Sequence, residues 1–391
     1  MSVPDAPPVV LAWARSAVVP RNGSLRHLAA HEIAAPVVGA LLARSNIAAA
    51  AVRGVVCGNA LGAGGNPARM VALASALPDS TTALSIDTQC CAGLDAVATA
   101  AALIAAGQAD VLVAGGTEAW SRAPIRQHRP QVADALPISF ERPAFAPDPA
   151  RDPDLAEAAA RHAAQAGHAR SAQDAYAIVS HARAVAGRAV LASEIVPIGG
   201  ATHDRHARVL TADRAARMPV VAASPVGIAE EAAQDTSVSH LAVSPQADGA
   251  AFVLIASPRA AAALGATAHF RWRGAGSLGV GPEMPLEAAS RAAIALLDRC
   301  GTPATLLWGV ELHDAFATQG LAFAEMLGLP AERLNRLGGG LARGHPIGAS
   351  GAIGLVRLLA DMARDAPPGA LGLTAIAAAG GLGSAALVER L

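Results

Sequence analysis

The sequence predicts an α/β layered fold in which two α/β halves are separated by an inserted segment. In the first third of the 391 residues, short apolar segments typical of buried strands alternate with alanine-rich segments typical of helices. The same alternation resumes after Gly249. Residues 118–242 between them are rich in Arg, His, Asp and Pro, which indicates an insertion or lid over the sheet. The order of elements suggests a duplication, although no clean sequence repeat links the two halves.

The elements of the first third follow from local patterns. Residues 51–58 predict a strand that ends in a glycine turn, and residues 111–114 predict a short strand buried on both faces and ended by Gly115 and Gly116. The predicted elements between them are a helix over 66–77, a strand over 82–88 and a helix over 90–107.

The rest of the chain divides in the same way. The middle predicts helices over 152–168 and 172–192 and a short strand over 194–197. The last part predicts strands over 250–256, 306–312 and 370–378 and helices over 285–300, 317–327 and 348–363. We therefore expect three regions: the first part of the N-terminal half over 1–117, a loop domain with the remainder of that half over 118–245, and a C-terminal half over 246–391.

Composition excludes several classes of protein. The chain is 53% hydrophobic and 16% charged, its formal net charge is −1, and it has no lysine and no basic block of the kind that binds nucleic acid. Charged and polar residues interrupt the apolar stretch 92–116, and residues 1–20 lack the pattern of a signal peptide, so neither predicts a membrane partner. The four cysteines have neither disulfide-framework nor metal-site spacing, which predicts a reducing, cytoplasmic location without a metal.

His345 lies in the most informative stretch of the chain, residues 335–351. It stands between Gly344 and Pro346, with further small residues on both sides. Backbone free of large side chains lets a bulky ligand approach an imidazole closely. We therefore expect a functional histidine here.

Cys90 is a candidate nucleophile at a predicted strand-to-helix junction. A cysteine near a positioned histidine is the minimal equipment for thioester chemistry. A helix that began at Cys90 would lower the thiol pKa through its N-terminal amides and dipole. A buried structural cysteine is the alternative, and Cys91 is a rival, since adjacent helical side chains point about 100° apart and only one sulfur faces a shared site.

Two further segments offer chemistry. His313 follows an apolar strand, at the kind of strand end where α/β sheets place ligands, although a hydrogen-bonded turn histidine is equally compatible with the pattern. Residues 377–383 form a second glycine-rich run, which suits either a turn or backbone amides that hold an oxyanion.

Taken together, these segments resemble the thiolase superfamily over nearly the whole chain. The nucleophile motif corresponds to Cys90-Cys-Ala-Gly-Leu94, and the Gly-His-Pro block to residues 335–351. Further matching segments lie, in the family's order, at residues 58–69, 115–121, 180–181, 194–197 and 244–250. The resemblance implies a five-layered α-β-α-β-α thiolase fold with an inserted loop domain. It also implies Cys90, His313 and His345 as catalytic residues, a backbone oxyanion site near Gly380 and Gly381, and Ser244 beside bound coenzyme A.

The departures from the family pattern bear on the reaction. The second catalytic cysteine of thiolases is replaced by Ala377, which cannot move a proton. The usual Asn-Glu-Ala-Phe is His313-Asp-Ala-Phe316, which resembles the sterol-carrier type of thiolase, and a serine of the nucleophile motif is Ala92. The remaining trio of one cysteine and two histidines resembles the set in decarboxylating ketosynthases.

The resemblance therefore implies an acetyl-CoA C-acyltransferase-like enzyme that forms an acyl-Cys90 intermediate and makes or cleaves a β-ketoacyl thioester. Two alternatives stay open: a decarboxylative ketosynthase-type condensing enzyme, and a catalytically impaired thiolase-fold partner subunit. The resemblance implies an acyl-CoA substrate, no separate cofactor, and assembly as a homodimer or homotetramer.

Overall fold

The structure, a computed structural model, describes residues 6–224 and 235–391. The strands within these ranges are β1 Val9–Ser16, β2 Val19–Pro20, β3 Gly54–Gly58, β4 Thr82–Ile86, β5 Val111–Ala119, β6 Arg126–His128, β7 Ile138–Phe140, β8 Ile195–Val196, β9 Val220–Ala222, β10 Val238–Ser239, β11 Ala247–Ala256, β12 Phe270–Gly279, β13 Leu307–His313, β14 Leu371–Ala378 and β15 Leu382–Arg390. The helices are α1 Ala30–Ser45, α2 Pro67–Ala74, α3 Ala92–Ala105, α4 Leu155–Ala166, α5 Arg170–Ala186, α6 Arg188–Leu191, α7 Ala212–Ala216, α8 Pro258–Ala263, α9 Ala288–Arg299, α10 Ala317–Leu327, α11 Gly340–Arg343 and α12 Ile347–Asp365.

One continuous sheet organises the molecule. Its strands follow the order β13-β14-β15-β12-β1-β11-β5-β3-β4, while β2 pairs with β11 and β8 with β1. The junction between β1 and β12 is short, with only the pairs Val9–Arg271 and Val10–Phe270. This junction separates an N-terminal set of strands, β1, β11, β5, β3 and β4, from a C-terminal set, β12, β15, β14 and β13.

Helices cover both strand sets and also fill the space between them. In β3, Val55 packs in the core beneath α1 and α2, whereas the next residue, Val56, packs in the core around α3 and α12. Successive side chains of a strand point to opposite faces, so a strand buried on both faces reads as a continuous apolar run. A third core joins the C-terminal strands to α9 and α10. The predicted succession of five layers, α-β-α-β-α, is confirmed.

Close packing in the central layer depends on glycine. A Cβ on Gly116 of β5 would lie 1.9 Å from the carbonyl oxygen of Gly348, and a Cβ on Gly93 of α3 would lie 2.7 Å from the same oxygen. Both distances are far below van der Waals contact. The glycines therefore let the first turn of α12, which follows His345, lie directly against α3 and β5.

The inserted region leaves and rejoins the sheet at one place. Strands β5 and β11 are antiparallel neighbours, with Ala119 paired to Asp248, and among the described residues between them only the short β8 joins this sheet, beside β1. In the described parts of this region, α4 and α5 build a separate core with residues around β10. Because β11 lies between β1 and β5, we propose that the C-terminal half begins after β11, later than the boundary at 246 that we expected.

Several elements differ from the sequence prediction. Helix α3 begins at Ala92 and not at Cys90, because residues Gln89–Cys91 form a short 3₁₀ turn. Strand β5 continues through Gly115 and Gly116 to Ala119, since these glycines accommodate α12 and do not end the strand. The predicted helix over 172–192 is divided at Gly187 into α5 and α6.

Within the described ranges, no helix combines the length and apolarity needed to cross a bilayer.

Candidate active site

The loop between β4 and α3 presents Cys90 in a constrained turn. Gln89, the residue before it, has a φ of 55°, which residues other than glycine rarely adopt. Hydrogen bonds hold this conformation: the Gln89 amide donates to Asp87 Oδ1 at 2.9 Å, and Thr88 Oγ1 donates to Asp95 Oδ2 at 2.6 Å. The backbone is therefore strained at Gln89, directly beside the candidate nucleophile, and this turn sets the direction in which the Cys90 sulfur points.

His345 is held by its backbone as well as by its ring. Its amide donates to the Pro245 carbonyl at 2.7 Å, and its carbonyl accepts from Trp120 Nε1 at 3.1 Å. Gly344 has a φ of 111°, which favours glycine at this position. The small residues predicted to give access to the imidazole therefore also turn the chain so that the ring meets Cys90.

The imidazole stands between a hydroxyl and the thiol. Nε2 of His345 lies 3.1 Å from Cys90 Sγ, and Nδ1 lies 2.7 Å from Ser350 Oγ. Ser350 Oγ donates its own hydrogen to the Pro346 carbonyl at 2.9 Å, so it accepts a hydrogen from Nδ1. This hydrogen-bond chain assigns the proton of the neutral ring to Nδ1 and leaves the Nε2 lone pair facing the sulfur.

Burial keeps both partners neutral in the unliganded site. It raises the pKa of the Cys90 thiol to about 12 and lowers the pKa of the His345 imidazole to about 4. The expected lowering of the Cys90 pKa by a helix N-terminus is wrong: loss of solvent outweighs the backbone amides that face the sulfur. The resting pair is therefore the neutral Cys90 thiol and the neutral His345 imidazole, and the imidazole is placed to take the thiol proton.

Cys91 points away from this pair. Its side chain is fully buried, and its Sγ lies 3.6 Å from the carbonyl oxygen of Ile376. The two sulfurs therefore have different surroundings, and the structure brings Cys90, not Cys91, to the histidine.

His313 ends β13 beside the catalytic pair. Its ring centroid lies 4.3 Å from that of His345, and its Nε2 is buried without a hydrogen-bond partner among the described residues. Burial, followed by the neighbouring His345, holds the pKa of His313 well below its usual value. A neutral ring with one unused nitrogen next to the reacting atoms is equipped to bind a polar group of a ligand.

A cavity of about 630 Å³ opens over Cys90 and His345, while His313 lies behind His345 and outside its lining. Cys90, His345, Ser244 and Ala377 lie in its wall, which is otherwise mostly apolar and includes Leu155, Leu286 and Phe316. The Ser244 hydroxyl donates to the Gly340 carbonyl at 2.7 Å. Cys90 is the one cysteine among the described residues that line this wall, and Ala377 offers no group for proton transfer.

The glycine-rich run reaches the Cys90 sulfur through the backbone amide of Ala379, and an oxyanion site near Gly380 and Gly381 stays a prediction. Gly380 and Gly381 form the turn between β14 and β15, both with a φ of 78°. The amides of Ala379 and of Cys90 itself hydrogen-bond the Cys90 sulfur. Sequence reasoning missed Ala379 because glycine was the signal that it followed, whereas any residue supplies an amide.

Three supporting residues were also missed. Trp120, Ser350 and Asp95 hold the histidine and the nucleophile turn, but their side chains are ordinary in sequence. The hints in the sequence are that Ser350 and Asp95 lie five residues after His345 and Cys90, and that Trp120 follows the end of β5.

This chain is similar to known proteins over nearly its whole length. Family profiles of the thiolase N-terminal domain and the thiolase C-terminal domain match residues 8–259 and 267–390. An acetyl-CoA acetyltransferase of Pseudomonas aeruginosa is 34% identical over 402 residues, covering 98% of this chain and 99% of its own length.

Two solved structures are also similar over nearly the whole chain. The acetyl-CoA acetyltransferase of Bacillus anthracis superposes with a TM-score of 0.87 at 28% identity, covering all of both chains. A thiolase from Ascaris suum in complex with coenzyme A superposes with a TM-score of 0.88 at 26% identity, covering 98% of this chain and 100% of its own.

Proposed function

This chain belongs to the thiolase family and is a thiolase-like acyl-CoA acyltransferase, and we propose that Cys90 carries the acyl group in its reaction. The observation that supports this most directly is the 3.1 Å separation of Cys90 Sγ and His345 Nε2, with the Nε2 lone pair directed at the thiol. A nucleophile, a base in reach and a third group that orients the base form the usual arrangement for covalent catalysis.

The acyl-transfer step follows from these positions. The Cys90 thiol gives its proton to His345 Nε2 while the sulfur attacks the thioester carbonyl carbon. The amides of Cys90 and Ala379, which already face the sulfur, stabilise the negative charge that develops on the carbonyl oxygen. The bond to the leaving sulfur then breaks, the imidazolium returns its proton to that sulfur, and free thiol and acyl-Cys90 remain.

Coenzyme A fits the cavity as the carrier of the acyl group. The Ascaris suum thiolase was solved with coenzyme A, and the wall around Ser244 and Phe316 offers a largely apolar channel with a few polar groups. These groups suit the pantetheine arm, whose amides alternate with short alkyl segments. The reaction as proposed draws only on protein side chains and the thioester.

The second half of the reaction is a carbon–carbon bond change. Ala377 has no proton to give or take, so we propose that the unused Nε2 of His313 serves this half by binding the carbonyl oxygen of the second thioester. The alanine at position 377 also favours a second candidate reaction, a decarboxylative condensation. Loss of carbon dioxide produces the carbanion without a base, so the cysteine that Ala377 replaces is not required.

Product analysis tests the proposal and separates the two reactions. The purified protein is incubated with acetyl-CoA alone, with malonyl-CoA plus acetyl-CoA, and with acetoacetyl-CoA plus free coenzyme A, and products are quantified. Thiolase chemistry predicts acetyl-CoA from the third mixture; decarboxylative chemistry predicts condensed product from the second alone. Loss of every product in Cys90→Ala, with Cys91→Ala still active, is the expected control. Equal turnover in Cys90→Ala would refute the assignment, and no turnover by the unaltered protein would favour the partner-subunit alternative.

We also propose that the chain forms a homodimer through its sheet edge. Strand β4 ends the sheet, and Leu84 on it is 46% exposed. Met70 and Leu73 of the neighbouring α2 are exposed to a similar extent. An unpaired strand with apolar residues on its surface is a ready site for pairing with a second copy.

A further inference from the structure

A side pocket of about 170 Å³ adjoins the catalytic cavity. Leu61, Trp120, Arg126, Phe140 and Glu141 line both spaces, so the two share a wall. Trp120 links the pocket to the candidate active site, because it lies in both walls and donates its indole hydrogen to the backbone carbonyl of His345 at 3.1 Å.

Two arginines enter this pocket without an ion-pair partner in the described chain. Arg126 makes one hydrogen bond, from Nη2 to the Ala60 carbonyl at 3.3 Å, and Arg21 makes one, from Nη1 to Gln246 Oε1 at 3.0 Å. The Arg21 guanidinium also lies 5.8 Å from the centre of the Trp120 ring. Glu141 is the one carboxylate among the described lining residues, and it pairs with neither arginine. Most donors of both guanidinium groups therefore remain available.

Leu61, Pro124, Ile125 and Phe140 give the pocket an apolar wall beside the polar Ser139 and Glu141. An apolar wall that carries a pair of guanidinium groups is complementary to an alkyl chain that ends in a carboxylate, since a planar guanidinium binds a carboxylate through two parallel hydrogen bonds. The phosphates of coenzyme A are a second source of negative charge. However, they lie beyond the pantetheine arm, whereas this pocket adjoins the histidine at the thioester end.

We propose that this side pocket binds the terminal carboxylate of a dicarboxylic acyl thioester, with Arg126 and Arg21 as the recognition residues. The inference rests on the proposed function, because it names the acyl class that the same cavity accepts. Selectivity arises because a neutral chain of equal length leaves both guanidinium groups without a partner of opposite charge.

Ligand binding to the Cys90→Ala variant tests the inference without the chemistry. Calorimetry compares glutaryl-CoA with valeryl-CoA and succinyl-CoA with butyryl-CoA, which match in carbon number, and includes free coenzyme A. We expect the better carboxylated ligand to bind about tenfold more tightly than its neutral match, the usual effect of a charge-assisted hydrogen bond. Arg126→Gln should remove this preference and leave valeryl-CoA and coenzyme A within about twofold of their original affinities.

Matched variants and ligands make the outcome decisive. Arg122→Gln alters an exposed arginine outside both pockets and should leave the preference intact. Equal binding of carboxylated and neutral thioesters would overturn the inference. An equal loss of affinity for all ligands in Arg126→Gln, coenzyme A included, would also overturn the inference, since that result indicates that the arginine binds the phosphates of coenzyme A. A protein that shows the preference but never forms acyl-Cys90 would refute the proposed function and not this inference.

Discussion

At the scale of single residues, the neutral state of Cys90 and His345 has a measurable consequence. With the pKa of the thiol raised to about 12 and that of the imidazole lowered to about 4, the thiolate is scarce at neutral pH. The rate of alkylation of Cys90 by iodoacetamide should therefore rise about tenfold per pH unit between pH 7 and 10. Peptide mapping of the labelled protein measures this rate. A plateau below pH 8 would contradict the expectation, because it would indicate a preformed thiolate–imidazolium pair.

Ala377 allows a gain-of-function experiment. Its side chain faces the cavity beside Cys90, and alanine offers no group for proton transfer. We expect Ala377→Cys to raise the rate of acetoacetyl-CoA cleavage by at least tenfold, toward the 10²- to 10⁴-fold that general acid–base catalysis typically supplies. Steady-state assays of thiolysis measure it. Ala375→Cys is the matched control, because Ala375 lies two residues earlier on β14, is buried and does not line the cavity. An unchanged rate in Ala377→Cys would show that the missing cysteine does not limit this reaction.

The sequence predicts these residues to very different extents. Cys90, His313 and His345 are recognisable because their neighbours in sequence form unusual motifs. The tautomer of His345 depends on the side-chain orientation of Ser350, and the choice between Cys90 and Cys91 depends on atoms far away in sequence, such as the Ile376 carbonyl. The direction in which the pKa of the Cys90 thiol shifts could not be predicted either, because it depends on burial by elements whose positions sequence patterns do not give.

At the scale of elements, a buried ion network joins the inserted region to the sheet and to α12. Glu194, beside β8, accepts hydrogen bonds from Arg15 of β1 and Arg357 of α12. Arg15 also binds Asp204 at 2.7 Å, and Arg357 binds Asp361 at 3.1 Å. These five side chains are all buried. The network therefore fixes the region that supplies much of the cavity wall.

Glu194 is the centre of this network, and its removal leaves two buried guanidinium groups short of a partner. We expect Glu194→Ala to destabilise the protein by about 3–5 kcal/mol. The exposed pair Arg291–Glu287 provides a control, since Arg291→Ala should cost about 0.3–0.5 kcal/mol. Thermal unfolding at one fixed protein concentration compares the variants. Similar melting temperatures for both variants would contradict a structural role of the network.

The pattern of elements in the sequence predicts the alternation of strands and helices but not their partners. Strands β3 and β5 and helix α3 are evident from apolar runs. Strand β11 was expected in the C-terminal half, and nothing in its residues reveals that it pairs with β5 after an excursion of more than a hundred residues. The long β12 has a mixed burial pattern and several glycines, which hide a strand from periodicity.

At the scale of the whole molecule, the exposed edge of the sheet predicts self-association. We expect the protein to elute with twice the mass of one chain, or four times if two dimers associate. Leu84→Arg places a charge on the edge strand and should shift the protein toward the monomer. Light scattering coupled to size-exclusion chromatography measures the mass, and Leu136→Arg, on an exposed site outside the sheet, is the comparison. A dimer that survives Leu84→Arg would place the interface elsewhere.

The five-layered arrangement brings the two halves of the chain to one catalytic centre. Cys90 comes from the N-terminal half, while His313, His345 and the amide of Ala379 come from the C-terminal half. The glycines of the central layer let these groups meet, and the inserted region covers them. Acyl transfer through Cys90 is therefore the central proposal for this site.

Intact-protein mass spectrometry after brief incubation with acetyl-CoA tests that claim most directly. The account predicts a mass increase of one acetyl group that maps to the peptide containing Cys90, persists in Cys91→Ala and disappears in Cys90→Ala. The same adduct should form slowly in His345→Ala, which lacks the base. An acetyl group that maps to Cys91, or that remains in Cys90→Ala, would contradict the account.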